Sequence, residues 1–401
     1  MHNTKFLLHA AEQYGTPLYY YDADIIRHQY KRLVNSFTDI TIKPKYACKA
    51  NTNIHILKLL KAEGCGLDTV SIQEVELGLF AGFQQDEILY TPNCVDIAEI
   101  SKAVEFGVHI NIDALPILEQ FGSKYGNSVP ICVRINPHVL AGGNSHIQTG
   151  HIDSKFGISI HQIRHLLRII QLYDIQVAGL HMHTGSDIVD PQSFIYGLDI
   201  LLDVAKDFKD LKYIDFGSGF KVPYKPGDVE SPIEEIGRQV SIRFKEFCTE
   251  YGKDLELWCE PGKYLVSQAG VFLVNVNVVK QTVSTVFAGV NSGLNHLIRP
   301  MMYEAYHRIE NISNVTEIER VYSVVGNICE TDTFGWDRKI SEIREGDVLA
   351  MYNAGAYGFS MSSQYNSRLR PAEVLKDGTE LKLIRRREEI NDLIYTQMLD
   401  K

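Results

Sequence analysis

The stretch "KYACKANTNIHILKLLKAEGCGLDTVSIQEVELGLFAGFQQDEILYT", residues 45–91, holds the pattern that decides the fold. Short apolar runs at 45–48, 66–70 and 87–91 read as strands, and residues 53–62 and 72–81 between them read as helices. Further along, strand-like runs recur at 108–112, 130–135, 176–182, 211–216 and 255–259. Helix-like segments at 96–105, 161–172, 193–206 and 232–251 fill most of the gaps. Eight successive β-α units over about 220 residues are what a (β/α)8 TIM-like barrel requires. An open, doubly wound sheet also alternates, but eight units in a row favour closure.

The flanks have a different texture. "TPLYYYD" (16–22) reads as a strand, and residues 24–37 as a helix with Ile25, Ile26, Tyr30, Leu33, Val34 and Phe37 on one face. From about residue 270 the chain alternates in "GVFLVNVNVVKQTV", and "VYSVVGNIC" and "DVLAMYNAGAY" read as further strands. The expected organisation is an N-terminal segment 1–26 whose strand pairs into the C-terminal domain, a barrel over 27–269, and a mostly β domain over 270–401.

Composition narrows the function classes. A formal charge of −10 argues against a nucleic-acid surface. No run approaches the ~18 apolar residues of a membrane span. The start "MHNTKFLLHAAEQYG" lacks the pattern of a secretion signal, so a cytoplasmic protein is expected. Cysteines 48, 65, 94, 132, 248, 259 and 329 are scattered without a CxxC pair, as reduced thiols would be; six of the seven read as buried apolar side chains.

In such a barrel the chemistry lies in loops at the carboxyl ends of the strands. Those positions hold Lys49, Asp68, Asn93, Asp113, Arg134 with Asn136, His183, the glycines of 217–219, and Glu260. Polar residues thus follow nearly every strand at one edge. Lys49 is singled out from Lys43 and Lys45, which are expected in solvent. "DFGSGF" (215–220) lets Gly217 and Gly219 bring backbone close to an anion, with Ser218 adding a hydroxyl; a plain turn is the alternative. In "GLHMHTGS" (179–186), His181 and His183 share a strand face and could ligate a metal, but no carboxylate stands at ligand spacing. No metal is expected, and an imidazole stacked on a flat ring, with Ser186 near a phosphate, is preferred. Glu260 in "CEPGKY" (259–264) could be a base, a ligand, or the partner of a protonated ring nitrogen. The segment "NAGAYGFSMSSQYNSRLRPAEV" (353–374) has the composition of a binding loop.

"YACKAN", "KFGI", "GLHMHTGS", "DFGSGF", "EPGK", "IRPMMYEAYH", "GNICETD" and "AGAYGFSMSSQYNSRLRPAEV" occur in the order found in one family. From about residue 15 to residue 375 the chain resembles the alanine-racemase-like, fold-type III pyridoxal-phosphate decarboxylases. The resemblance implies pyridoxal 5'-phosphate as cofactor, with Lys49 as the lysine that holds it. It implies that His183 stacks on the ring and that Ser186, Gly217, Ser218, Gly219 and Tyr357 contact phosphate. Glu260 matches the carboxylate beside the ring nitrogen. Asp68, Glu74 and Arg134 match supporting polar positions. Arg299, Tyr303, Lys263 and Tyr357 match substrate contacts. Cys329 resembles a proton donor and Glu330 a substrate contact, both given by the neighbouring subunit, which implies a homodimer with shared active sites. The implied reaction converts meso-2,6-diaminopimelate to L-lysine and carbon dioxide. Relatives that act on ornithine, arginine, lysine or carboxynorspermidine are the nearest alternative; a racemase and a non-catalytic mimic are more distant ones.

Four positions depart from the family pattern. "EPGR" reads "EPGK", so Lys263 lacks the bidentate fork of arginine. A triple glycine reads Gly-Ser-Gly. Thr331, Asp332 and Thr333 follow the cysteine-glutamate pair, placing the acid one residue early. Asn291 and Ser292 stand where Asp-Ala is common.

Overall fold

A computed structural model describes residues 2–139 and 154–398 of the chain. These fall into two compact units, one of Arg27–Val222 with Val229–Tyr264, the other of Met1–Ile26, Pro223–Asp228 and Leu265–Lys401. The barrel-to-β boundary therefore lies at 264/265 rather than 269/270, and 223–228 goes with the β unit.

The first unit is a closed parallel barrel. Its eight strands are Ile42–Ala47, Gly66–Thr69, Ile88–Tyr90, His109–Ile112, Ile131–Asn136, Val177–Met182, Tyr213–Asp215 and Glu256–Cys259. Each pairs in parallel with the next, and the last returns to the first through Leu257–Ile42. All eight match the apolar runs read from the sequence. A helix at Leu115–Tyr125, missing from that reading, fills the gap after the fourth strand. Helix starts are set locally: Asn53, Ser71 and Asp96 accept hydrogen bonds from the backbone of the first turn, satisfying donors the helix cannot.

The strands' amino-terminal end is plugged by aromatic rings. Tyr213 and Trp258 stack at 3.7 Å and 5°, and His109 meets Trp258 edge-on at 5.1 Å. Gly179 makes room, since a Cβ there would collide with the Tyr213 ring. Lys45, expected in solvent, is buried in this floor. Its ammonium lies 4.2 Å from the Trp258 ring centroid and donates to the Glu87 and Asp86 carbonyls at 3.0 and 3.3 Å. Burial pushes its pKa down to about 8. Lys43, one pleat away, stays exposed and pairs with Glu256 at 2.5 Å. The two lysines are two residues apart and share one face of the strand, so depth along the barrel, not polarity, decides which is buried.

The second unit is built on the twelve-residue strand Gly270–Gln281. It pairs antiparallel with Leu18–Asp22, Val286–Val290 and Val348–Tyr352. Leu18–Asp22 also pairs in parallel with Ala372–Asp377, so the early strand joins the late β sheet. Every second residue of these strands enters one core: Leu18 and Tyr20, Val271 and Leu273, Ala350 and Tyr352, Ala372 and Val374. A helix at Thr4–Tyr14, which the sequence reading did not include, packs Leu7, Ala10 and Ala11 on that core.

All seven cysteines are free thiols. Four are buried, but Cys248 is half-buried and Cys94 exposed, so the expectation of six buried cysteines is corrected. Cys94 sits at φ +56 in the turn after the third barrel strand, where the backbone faces solvent.

Candidate active site

Lys49 lies in a single 3-10 turn, Cys48–Ala50, directly after the first barrel strand. Its Nζ stands 3.4 Å from Oδ2 of the buried Asp68 at the end of the second strand. Burial raises the Asp68 carboxyl to about 8; the Glu260 charge adds to this, and the Lys49 ammonium offsets only part of it. Glu74 is drawn into the helix start: its Oε2 accepts from Val70 N at 2.8 Å, and its own N–H donates to Ser71 Oγ at 3.2 Å. Glu74 is thus a capping residue that fixes the turn after Asp68.

The sixth strand ends in two histidines with different duties. His181 is fully buried, and its Nε2 contacts Glu260 Oε2 at 3.1 Å. Burial holds this imidazole neutral, so Nε2 carries the proton and donates it to the carboxylate. His183 accepts from Ser218 N through Nδ1 at 3.3 Å. Burial, and then the Arg134 charge, push it down to about 3. Arg134 is itself buried, with its guanidinium 4.8 Å from the Phe156 ring centroid.

Glu260 closes the mouth. Burial alone would raise its carboxyl, but the His181 N–H bond and the Lys49 charge outweigh that and hold it at about 2. Its Oε1 is buried without a hydrogen-bond partner. Asp215, absent from the sequence reading of the site, lies beside it. One nitrogen of His181 and one oxygen each of Asp215 and Glu260 stand within 4.8 Å of one another. Spacing offered no carboxylate beside His181, whereas the barrel brings two. Burial, then the Glu260 charge, lift Asp215 well above the carboxylate range, so a single negative charge resides on Glu260. A buried Asp directly before a Gly-x-Gly turn was the available signal.

The glycine loop is a tight cradle. Asp215 Oδ1 accepts from Gly217 N at 2.9 Å, and Glu260 N donates to Gly217 O at 2.8 Å. Gly217 has φ +69, and a Cβ there would sit 2.5 Å from Met182 O. Gly219 has φ +125, and its Cβ would sit 2.5 Å from Gly185 O. Ile188 N donates to Gly219 O at 2.9 Å, so the 183–188 loop carrying Ser186 is joined to the cradle. Lys263, at the start of Lys263–Val266, pairs with Asp187 of that loop. The lysine in "EPGK" therefore meets a carboxylate of its own chain.

The other predicted residues belong to the β unit. Arg299 opens the helix Arg299–Tyr303, is buried, and lies 5.0 Å over the Tyr224 ring. Tyr303 is half-buried on the same helix. Tyr357 adopts φ +55 in the loop after Val348–Tyr352. Cys329 and Glu330 are exposed; Cys329 N donates to Asn366 Oδ1 at 2.7 Å, and Glu330 Oε1 accepts from Tyr365 Oη at 2.8 Å. The early acid Asp332 turns inward, its Oδ2 accepting from Ile328 N at 3.3 Å and its carbonyl from Gly326 N at 2.8 Å. It holds the loop that presents Cys329. Asn291 is likewise structural, accepting from Asn275 N at 3.0 Å and donating to Thr16 Oγ1 at 2.8 Å.

Residues 23–267 match the family model described as pyridoxal-dependent decarboxylase, pyridoxal binding domain. The diaminopimelate decarboxylase of Methanothermobacter thermautotrophicus is 41% identical over 96% of this chain and 92% of its own length. That of Pseudomonas fluorescens is 36% identical over 97% and 94%. The crystal structure of the Helicobacter pylori diaminopimelate decarboxylase in complex with L-lysine matches with a TM-score of 0.89 at 29% identity, covering 98% of this chain and 99% of that one.

Proposed function

Because the chain belongs to the pyridoxal-dependent decarboxylases, and within them to the diaminopimelate decarboxylase family, we propose that it converts meso-2,6-diaminopimelate to L-lysine and carbon dioxide. The observation that carries the reading is the buried Glu260 Oε1, left without a partner at the barrel mouth that also holds Lys49 and the glycine cradle.

These residues fit pyridoxal phosphate. An ionised carboxylate with an unused buried oxygen suits a protonated ring nitrogen. A cradle with no space for a Cβ suits a phosphate approached by backbone N–H groups. When bound, the cofactor supplies a cationic ring that takes up the electron pair left by departing carbon dioxide.

Lys49 would hold the cofactor through its aldehyde, with Asp68 beside the lysine amine. Gly217, Ser218, Gly219, Ser186 and Tyr357 serve the phosphate. His183 covers the ring as a neutral imidazole and adds no charge beside Arg134. Glu260 keeps a proton on the ring nitrogen, and the His181 N–H orients it. Arg299, Tyr303, Glu330 and Tyr357 serve the substrate, together with Lys263 as the cationic half of its pair with Asp187. Cys329 returns a proton to the carbon that lost its carboxylate.

The enzyme works in the cytoplasm as a homodimer in which Cys329 and Glu330 complete the partner's site. The exposure of both residues on a loop tied down by Asp332 supports that role. Among the described residues no helix is long and apolar enough to cross a membrane.

The test is product analysis with the full chain, pyridoxal phosphate and meso-diaminopimelate, measuring trapped carbon dioxide and the chirality of the lysine. Equimolar carbon dioxide and L-lysine are expected. Faster turnover of L-ornithine or carboxynorspermidine would overturn the substrate assignment.

A further inference from the structure

Asp215, the first residue of "DFGSGF", is fully buried at the end of the seventh barrel strand, Tyr213–Asp215. Its two oxygens have different surroundings. Oδ1 accepts from Gly217 N at 2.9 Å, inside the glycine cradle. Oδ2 is buried and has no hydrogen-bond partner among the described residues. Glu260 shows the same division: Oε2 takes the His181 N–H at 3.1 Å, and Oε1 is buried and unpartnered. The two strand ends also meet through the main chain, since Glu260 N donates to Gly217 O at 2.8 Å. Gly217 is therefore gripped by Asp215 at its N–H and by Glu260 at its carbonyl.

One oxygen of each carboxyl and one nitrogen of His181 lie within 4.8 Å of one another. Two buried carboxylates at that range cannot both stay ionised beside an imidazole that burial keeps neutral. The other groups acting on Asp215 are Asp68, a third acid, and Lys45, whose ammonium is engaged with the Glu87 and Asp86 carbonyls. Burial, then the Glu260 charge, lift the Asp215 carboxyl well above its usual range, so it keeps its proton. Oδ1 is already the acceptor for Gly217 N, which leaves Oδ2 as the O–H donor. The charged acceptor in the cluster is Glu260, and a hydrogen bond to an ionised group is the strong kind.

We propose that Asp215 is a positioning residue for the ring-nitrogen carboxylate: its Oδ1 fixes the Gly217 amide of the cradle, and its Oδ2–H is directed at Glu260. The inference rests on the reading of Glu260 as the partner of the ring nitrogen and adds the side chain that steadies its charge. It also ties the phosphate end of the cofactor site to the ring-nitrogen end through one residue.

The test reconstitutes the full chain with pyridoxal phosphate and with its deaza analogue, in which C–H replaces the ring nitrogen while aldehyde and phosphate remain. Absorbance titration gives the Kd of each, and the wild type is expected to prefer pyridoxal phosphate. Asp215→Ala is expected to weaken pyridoxal phosphate about 10- to 100-fold more than the analogue, because only the former uses Glu260. A role confined to the cradle would weaken both ligands alike. Asp215→Asn keeps one acceptor and one donor where the neutral acid has them, and both Kd values are expected within about threefold of wild type. Losses in Asp215→Ala that are equal for the two ligands, or absent, would overturn the proposal, as would a loss beyond about threefold in Asp215→Asn. If Asp215→Ala does not fold, Asp215→Asn decides, since an ionised Asp215 would lose its charge in that variant. A wild type that binds both ligands equally would instead overturn the reading of Glu260 itself.

Discussion

Replacing Gly219 by alanine isolates the phosphate cradle from the rest of the site. The residue has φ +125, a region essentially reserved for glycine, and occupying it with an L side chain costs about 1–3 kcal/mol. The new Cβ would lie 2.5 Å from Gly185 O and 3.0 Å from Ile188 Cδ1. The first is backbone and cannot rotate away, so the 183–188 loop must retreat. Retreat strains the Ile188 N–Gly219 O bond of 2.9 Å, worth about 1 kcal/mol net. Together about 2–4 kcal/mol is withdrawn from the phosphate site, which at 1.4 kcal/mol per tenfold weakens cofactor binding about 30- to 700-fold. The assay reconstitutes apo-protein with pyridoxal phosphate and, separately, with pyridoxal, following the visible absorbance. The loss should appear with the phosphate ester and be small with pyridoxal. An equal loss for both, or none for either, would refute the assignment of this loop to phosphate.

Lys49→Ala should remove the borohydride-trappable cofactor adduct and turnover together; a trapped adduct of normal yield would place the reactive amine elsewhere. Mixing Lys49→Ala with Cys329→Ala subunits should restore part of the activity if sites are shared, and confirmed heterodimers without recovery would refute sharing. Lys45 gives a pH test on stability. Its folded pKa of about 8 lies below the ordinary 10.5, so the unfolded chain holds the proton more tightly between those values. The penalty is complete below about pH 8 and fades as pH rises to about 10.5, a gain of about 3 kcal/mol from this group. Lys45→Met should remove that slope in chemical denaturation, and an unchanged slope would show that the amine titrates normally.

Much of the fold was legible because strand and helix periods are local. Eight apolar runs separated by amphipathic segments can bury their faces together only by closing, and all eight strands lie where those runs are. The two longer helices missed by the reading, Thr4–Tyr14 and Leu115–Tyr125, have weaker signals: one carries two polar residues in its last turn and the other opens on Ala-Leu-Pro without a side-chain cap. The strand-end rule located Lys49, Asp68, Arg134, His183, the glycine cradle and Glu260 in one barrel unit, since each lies in the carboxyl half of a strand or just past its end.

Which charge each of these groups carries was a tertiary decision. His181 looked like the twin of His183, yet depth in the barrel makes it the partner of Glu260. Asp215 looked like the end of a strand, yet Asp68, Asp215 and Glu260 come near enough that burial and mutual repulsion leave the charge on Glu260, where Lys49 and the His181 N–H face it. Lys45 and Lys49 are four residues apart in one motif; the first lies sealed under Trp258 and the second beside Asp68. Sequence by itself determined which residue types stand at the strand ends, because periodicity is a property of neighbours. Solvation, protonation and pairing depend on distances between residues tens to hundreds of positions apart, and only closure of the barrel sets those.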